Sequence, residues 1–167
     1  MKEKNAPSLI HPEIMFLSFF GIGFLPKAPG TWGSLAIIPF LLLISWFQAP
    51  FFLFIPFLVI TTIISCFIAE SVQKKFDLHD PSWIVIDEVV GMWTAWIFIQ
   101  GEELSFLNVC LIFGLFRLFD IYKIWPASYF DKKVFHGAGT ILDDIVSGLY
   151  AGSSFILIKI VYKYFSS

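Results

Sequence analysis

The chain has 167 residues, of which 57% are hydrophobic and 14% charged, and its formal net charge is −2. A chain of this size cannot hide so much apolar surface from water, and it has no basic excess suited to nucleic acid. These figures exclude a soluble enzyme, a disordered chain and a disulfide scaffold, and they predict one membrane-embedded domain over 1–167 with a polar tail at 1–13.

Ile14 to Phe24 is an apolar run, shorter than the ~20 residues that cross a bilayer. No small-x-small cleavage site follows it, so a re-entrant or interfacial segment is expected. Leu25–Ser34 (LPKAPGTWGS) is a polar break. Leu35–Gln48 is apolar and ends at Ala49-Pro50, where the proline suits the first turn of a new helix. Phe51–Ala69 makes a full span, and Glu70–Ser82 a polar loop. Trp83–Ile99 is apolar except for Asp87 and Glu88, and Gly101–Glu103 is a turn. Leu104–Trp125 is apolar except for Arg117, Asp120 and Lys123. After a loop at Pro126–Thr140, Ile141–Tyr162 closes the chain, with Asp143 and Asp144 at its start. The expected fold is an all-α polytopic membrane protein with about four to five membrane helices. Leu35–Gln48 is short, so a shallow hairpin is the alternative reading of the first two helices. Trp83 and Trp125 sit where an interfacial belt belongs. Cys66 and Cys110 lie in apolar runs and read as packing thiols. Gly148 and Gly152 form a small-xxx-small pair for helix packing within the protein or in a homo-oligomer.

Basic residues orient the chain. With Lys2, Lys4 and Lys27 in the cytoplasm, the 70–82 loop (Lys74, Lys75) and the 126–140 loop (Lys132, Lys133) also fall inside. The 49–50 turn and the acidic 101–103 turn fall outside. Only Lys159 and Lys163 lie on the other side. This topology carries Thr31 and Ser34, Asp87 and Glu88, Arg117, Asp120 and Lys123, and Asp143 and Asp144 to one membrane face.

Charge at the centre of an apolar helix costs about 2.5–3.5 kcal/mol and usually marks a function. Each cluster has a plain alternative. Asp143-Asp144 can oppose a helix dipole, Arg117/Asp120/Lys123 can form a salt-bridge ladder along one helix face, and Thr31 or Ser34 can cap a helix. Asp87-Glu88 is harder to dismiss, because adjacent residues point ~100° apart and at least one must face inward. Convergence of all four clusters favours a site. So many acids call for a hard divalent cation, and magnesium suits carboxylates together with substrate phosphate; no His/Cys set argues for zinc. His79 and His136 read as single loop residues. PKAPGTWGS reads as a phosphate cradle, with Gly30 and Gly33 permitting close approach and Lys27 adding charge.

Four ordered blocks, GIGFLPKAPGTWGSL, IVIDEVVGMW, FRLFDIYKIWP and HGAGTILDDIVSGLYAG, resemble the phosphatidylglycerophosphatase A family over roughly Gly21 to Gly152. The chain departs from the usual family pattern at Ile124 (usually Pro), at His136 (usually Gly) and at Gly139-Thr140-Ile141 (usually Gly-Ile-Met), and no departure removes a carboxylate. The resemblance implies magnesium-dependent hydrolysis of phosphatidylglycerophosphate to phosphatidylglycerol and phosphate, at the cytoplasmic face of a bacterial inner membrane. Asp87, Glu88, Asp120, Asp143 and Asp144 are then the expected catalytic centre, with Asp87, Glu88, Asp143 and Asp144 as metal ligands. Lys27, Thr31, Ser34, Arg117 and Lys123 are the expected phosphate-binding residues. The alternatives are an ion or proton transporter, whose acids belong near mid-bilayer, and a lipid head-group transferase, although the D-x2-DG-x2-AR signature of one such class is absent.

Overall fold

Ten of the eleven residues of one short helix are buried, and the rest of the molecule is arranged around it. The structure is a computed structural model that describes residues 9–47, 51–78, 81–133 and 137–166. Lys2, Lys4, the Ala49-Pro50 turn, His79, His136 and the side chains of Lys132 and Lys133 lie outside the described residues. Seven α-helices are found there and no strand: α1 (Pro12–Leu17), α2 (Pro29–Trp46), α3 (Phe51–Phe76), α4 (Ile86–Trp96), α5 (Phe106–Tyr122), α6 (Ala127–Lys133) and α7 (Gly137–Ser166). Two short 3-10 turns, Ile22–Phe24 and Ile97–Ile99, complete the path.

Three helices, α2, α3 and α7, are long and apolar enough to cross a membrane. Within the spans, Pro39 and Pro56 sit inside α2 and α3, as membrane helices tolerate where neighbours satisfy the freed carbonyl. The 17 residues of α5 reach ~26 Å, and the 11 residues of α4 only ~16 Å at 1.5 Å per residue. Thus α4 is a central half-length helix enclosed by longer ones. It starts at Ile86 rather than Trp83, because Trp83 is used otherwise: it is buried and stacks on Phe24 with ring centroids 5.6 Å apart. Trp83 is therefore core, whereas Trp125 is exposed as a belt residue should be. Of the two thiols, Cys66 packs partly against the core and Cys110 faces outward.

α4 packs chiefly on α7 and then on α2. Glycine makes the α4–α7 crossing close. A Cβ on Gly148 would strike the Gly91 carbonyl, and one on Gly91 would lie 2.8 Å from the Asp144 carbonyl. α1 is too short to span. It buries Ile14 and Leu17, and the Leu17 carbonyl accepts the Val85 N–H at 3.0 Å. Glu13 reaches Lys75 at the end of α3, 3.4 Å away. The N-terminal segment thus braces the end of α3 against the entry to α4, which fixes where the acidic pair of α4 emerges.

Candidate active site

At one end of the bundle, a cavity of about 300 Å³ collects side chains from four helices and one loop. α4 contributes Asp87 and Glu88 from its first turn, α5 contributes Arg117 and Asp120, and α7 contributes Thr140 and Asp144. Lys123, the residue that ends α5, and the 81–84 loop close the rim, and Pro29 and Gly30 of α2 form a wall. One carboxylate oxygen each from Asp87, Glu88 and Asp144 lies within 4.8 Å of the others. That spacing permits one cation to touch all three, and a hard ion with oxygen ligands fits the donor set. Asp87 Oδ1 accepts the Glu88 N–H at 3.1 Å, which fixes the rotation of that carboxylate. Glu88 Oε2 is buried and has no hydrogen-bond partner among the described residues. A buried unpartnered carboxylate oxygen is costly and calls for a ligand.

The cations are held by design of the same helices. Arg117 pairs with Asp120 at 2.6 Å, three residues along α5. Its Nη1 also donates to Ser34 Oγ at 3.3 Å, while Ser34 donates to the Gly30 carbonyl at 2.9 Å. Arg117 Nε is buried and has no hydrogen-bond partner among the described residues. Lys123 has a left-handed backbone (φ 42°) at the end of α5, a conformation that usually falls to Gly or Asn. Its Nζ pairs with Asp143 Oδ2, and Asp143 Oδ1 accepts the Asp144 N–H at 3.0 Å.

The structure therefore brings Asp87, Glu88, Asp120, Asp144, Arg117 and Lys123 onto one cavity and sets four expected residues apart from its wall. Asp143 is fully buried behind Lys123 and outside the three-carboxylate group. Ser34 is buried and bonds Arg117 from behind. Thr31 is half-buried and Lys27 exposed, both off the cavity wall. The glycines of PKAPGTWGS are also used differently from a phosphate cradle. A Cβ on Gly30 would collide with the Glu88 carboxylate, and one on Gly33 with Val85, so these glycines admit α4. Thr140, Pro81 and Ser82 line the cavity without having been singled out from sequence. Thr140 carried a signal, since it lies one helical turn before Asp144 on the same face. Pro81 and Ser82 carried none.

The chain resembles known proteins over most of its length. The family model described as phosphatidylglycerophosphatase A matches residues 15–159. A phosphatidylglycerophosphatase A of Haemophilus influenzae is 36% identical over 145 residues, 86% of either chain. That of Escherichia coli is 34% identical over 87% of this chain and 83% of its own. A Bacteroides thetaiotaomicron protein, named provisionally as a phosphatidylinositol-3-phosphatase, is 33% identical over 84% of this chain and 87% of its own. No solved structure gives a significant match.

Proposed function

The chain belongs to the phosphatidylglycerophosphatase A family, whose named members are phosphatases acting on a phosphate monoester, and from that premise we propose that it hydrolyses phosphatidylglycerophosphate to phosphatidylglycerol and phosphate with magnesium as cofactor. The observation that carries the reading is a complementary pair on one cavity. The Asp87, Glu88 and Asp144 carboxylates, with one oxygen each within 4.8 Å of the others, stand on the same cavity wall as Arg117 and Lys123. A metal phosphate ester is the ligand type that suits both the acidic and the basic half of that wall.

Asp87, Glu88 and Asp144 are the residues that would hold the ion. Such an ion supplies a Lewis acid for phosphoryl oxygens and lowers the pKa of bound water. Arg117 and Lys123 bind the non-bridging oxygens and offset the negative charge that grows in the transition state. Asp120 and Ser34 fix the guanidinium from two sides, so little reorganisation is needed when the ester arrives. Asp143 does the same for Lys123. A water oxygen forms the new bond to phosphorus as the ester P–O bond to the glycerol head group breaks, and the proton that a carboxylate of the cluster takes from that water passes to the departing glycerol oxygen, giving phosphatidylglycerol and phosphate. In a cytoplasmic-membrane setting, the acyl chains stay in the bilayer while the head group enters from the cytoplasmic surface.

The test is phosphate release by the purified chain in detergent micelles. Release from phosphatidylglycerophosphate is expected with magnesium, its loss with chelator, and its return when the metal is restored. Release from phosphatidylinositol 3-phosphate alone would move the substrate to the other named relative's class. Release from neither lipid overturns the proposal.

A further inference from the structure

Lys159 and Lys163 take no part in the acid cavity, and they are the basic residues that fall on the opposite face in the sequence-derived topology. Lys163 stands nineteen positions after Asp144 on the continuous helix α7. At 1.5 Å per residue that is ~28 Å, about the thickness of the hydrocarbon core. The lysines therefore lie near the membrane surface opposite the acid cavity. Both line a second cavity, of about 620 Å³, between the end of α7 and residues 98–102. Phe98, Phe155, Ile156 and Ile160 give it an apolar floor. Lys159 is committed to Glu102 at 3.0 Å. Lys163 has no ion pair among the described residues, and it stands one helical turn beyond Lys159 on the same face.

We propose that this groove binds an anionic phospholipid of the leaflet opposite the acid cavity, with its phosphodiester against Lys163 and an acyl chain over the Phe98/Phe155 floor. An apolar floor continuous with a membrane-spanning helix, ending at an uncommitted ammonium, complements a lipid whose charge and chain are adjacent. Free phosphate gains nothing from that floor, so the lipid is the better occupant. A lysine that merely extends its ammonium to water also attracts anionic head groups, but it does so whatever the floor is made of. Ile160→Asn, which polarises the floor and leaves Lys163 in place, should therefore abolish the preference, and a preference unchanged in that variant would overturn the proposal. The proposal does not depend on the phosphatase reading.

The test uses the full chain in phosphatidylcholine bilayers with spin-labelled phosphatidylserine or spin-labelled phosphatidylcholine. Phosphatidylserine is anionic but carries no phosphate monoester for the acid cavity. The measured quantity is the fraction of motionally restricted lipid. Wild type is expected to prefer phosphatidylserine about fivefold, as one lysine near an anionic surface allows. Lys163→Gln should lose that preference and Lys163→Arg keep it, while phosphate release from phosphatidylglycerophosphate is unchanged in both. Asp144→Asn should keep the preference. Equal restriction of both lipids by wild type, an unchanged preference in Lys163→Gln, loss of it in Asp144→Asn, or displacement of the lipid by millimolar inorganic phosphate would each overturn the proposal.

Discussion

Asp143 and Asp144 are neighbours with opposite surroundings, and the difference separates their expected roles. Asp144 lies in the three-carboxylate group, whereas Asp143 faces Lys123 and is fully buried. Asp144→Asn should abolish phosphate release and weaken magnesium binding, read as loss of the metal-induced rise in unfolding temperature. Asp143→Asn keeps an oxygen for the Asp144 N–H but loses the charge opposite Lys123. It should lower kcat by about tenfold, as misplacement of one transition-state contact does, and leave the metal-induced rise intact. Equal loss of metal binding in both variants would place Asp143 among the ligands. Spacing could not make this distinction, since two adjacent residues at a helix start differ by ~100° and only the position of α5 decides which one meets Lys123.

At the scale of elements, glycine positions separate function from stability. The obstacle to a Cβ on Gly30 is the carboxylate end of Glu88, a flexible group that can swing away. For Gly148 it is the Gly91 backbone carbonyl, which cannot move without parting α4 from α7. Gly30→Ala should thus leave the unfolding temperature in detergent nearly unchanged, helped by alanine's helix propensity, but reduce phosphate release at least tenfold by displacing a proposed ligand. Gly148→Ala should destabilise the fold by roughly 1–3 kcal/mol, the usual cost of overpacking. The reverse pattern would mean that Gly30 serves packing only. These glycines also show where sequence reading stops. PKAPGTWGS announces a close approach but not what approaches. A phosphate was expected and the side chain of Glu88 is found, because the packing of α2 on α4 leaves no periodic trace in either helix. The apolar helices themselves were legible, since their runs are long and their breaks polar. The start of α4 was missed by three residues, because Trp83, Ile84 and Val85 are as apolar as the helix they precede and are buried by loop contacts.

For the whole molecule, the acid cavity lies at one end of the helix bundle, and the membrane surface that this end meets can be read chemically. Ser82 is exposed at the rim of the cavity and Lys163 is exposed at the far end of α7. In a background with Cys66 and Cys110 changed to serine, Ser82→Cys and Lys163→Cys should react with a membrane-impermeant maleimide from opposite sides of sealed vesicles. Positive-inside bias predicts that Ser82 faces the cytoplasm, so inside-out vesicles should label it directly and right-side-out vesicles only after permeabilisation. Bound phosphate with magnesium should slow labelling of Ser82→Cys, because the serine shares a cavity with Glu88 and Arg117, and should not affect Lys163→Cys. Labelling of both positions from one side would mean that α7 does not cross, and the reading of its thirty residues as a span would fall with it. Opposite labelling with the sides reversed would keep the fold and move the site to the outer surface, against the positive-inside reading. The sidedness of a single exposed serine therefore tests the link between where the carboxylates gather and where their lipid must be presented.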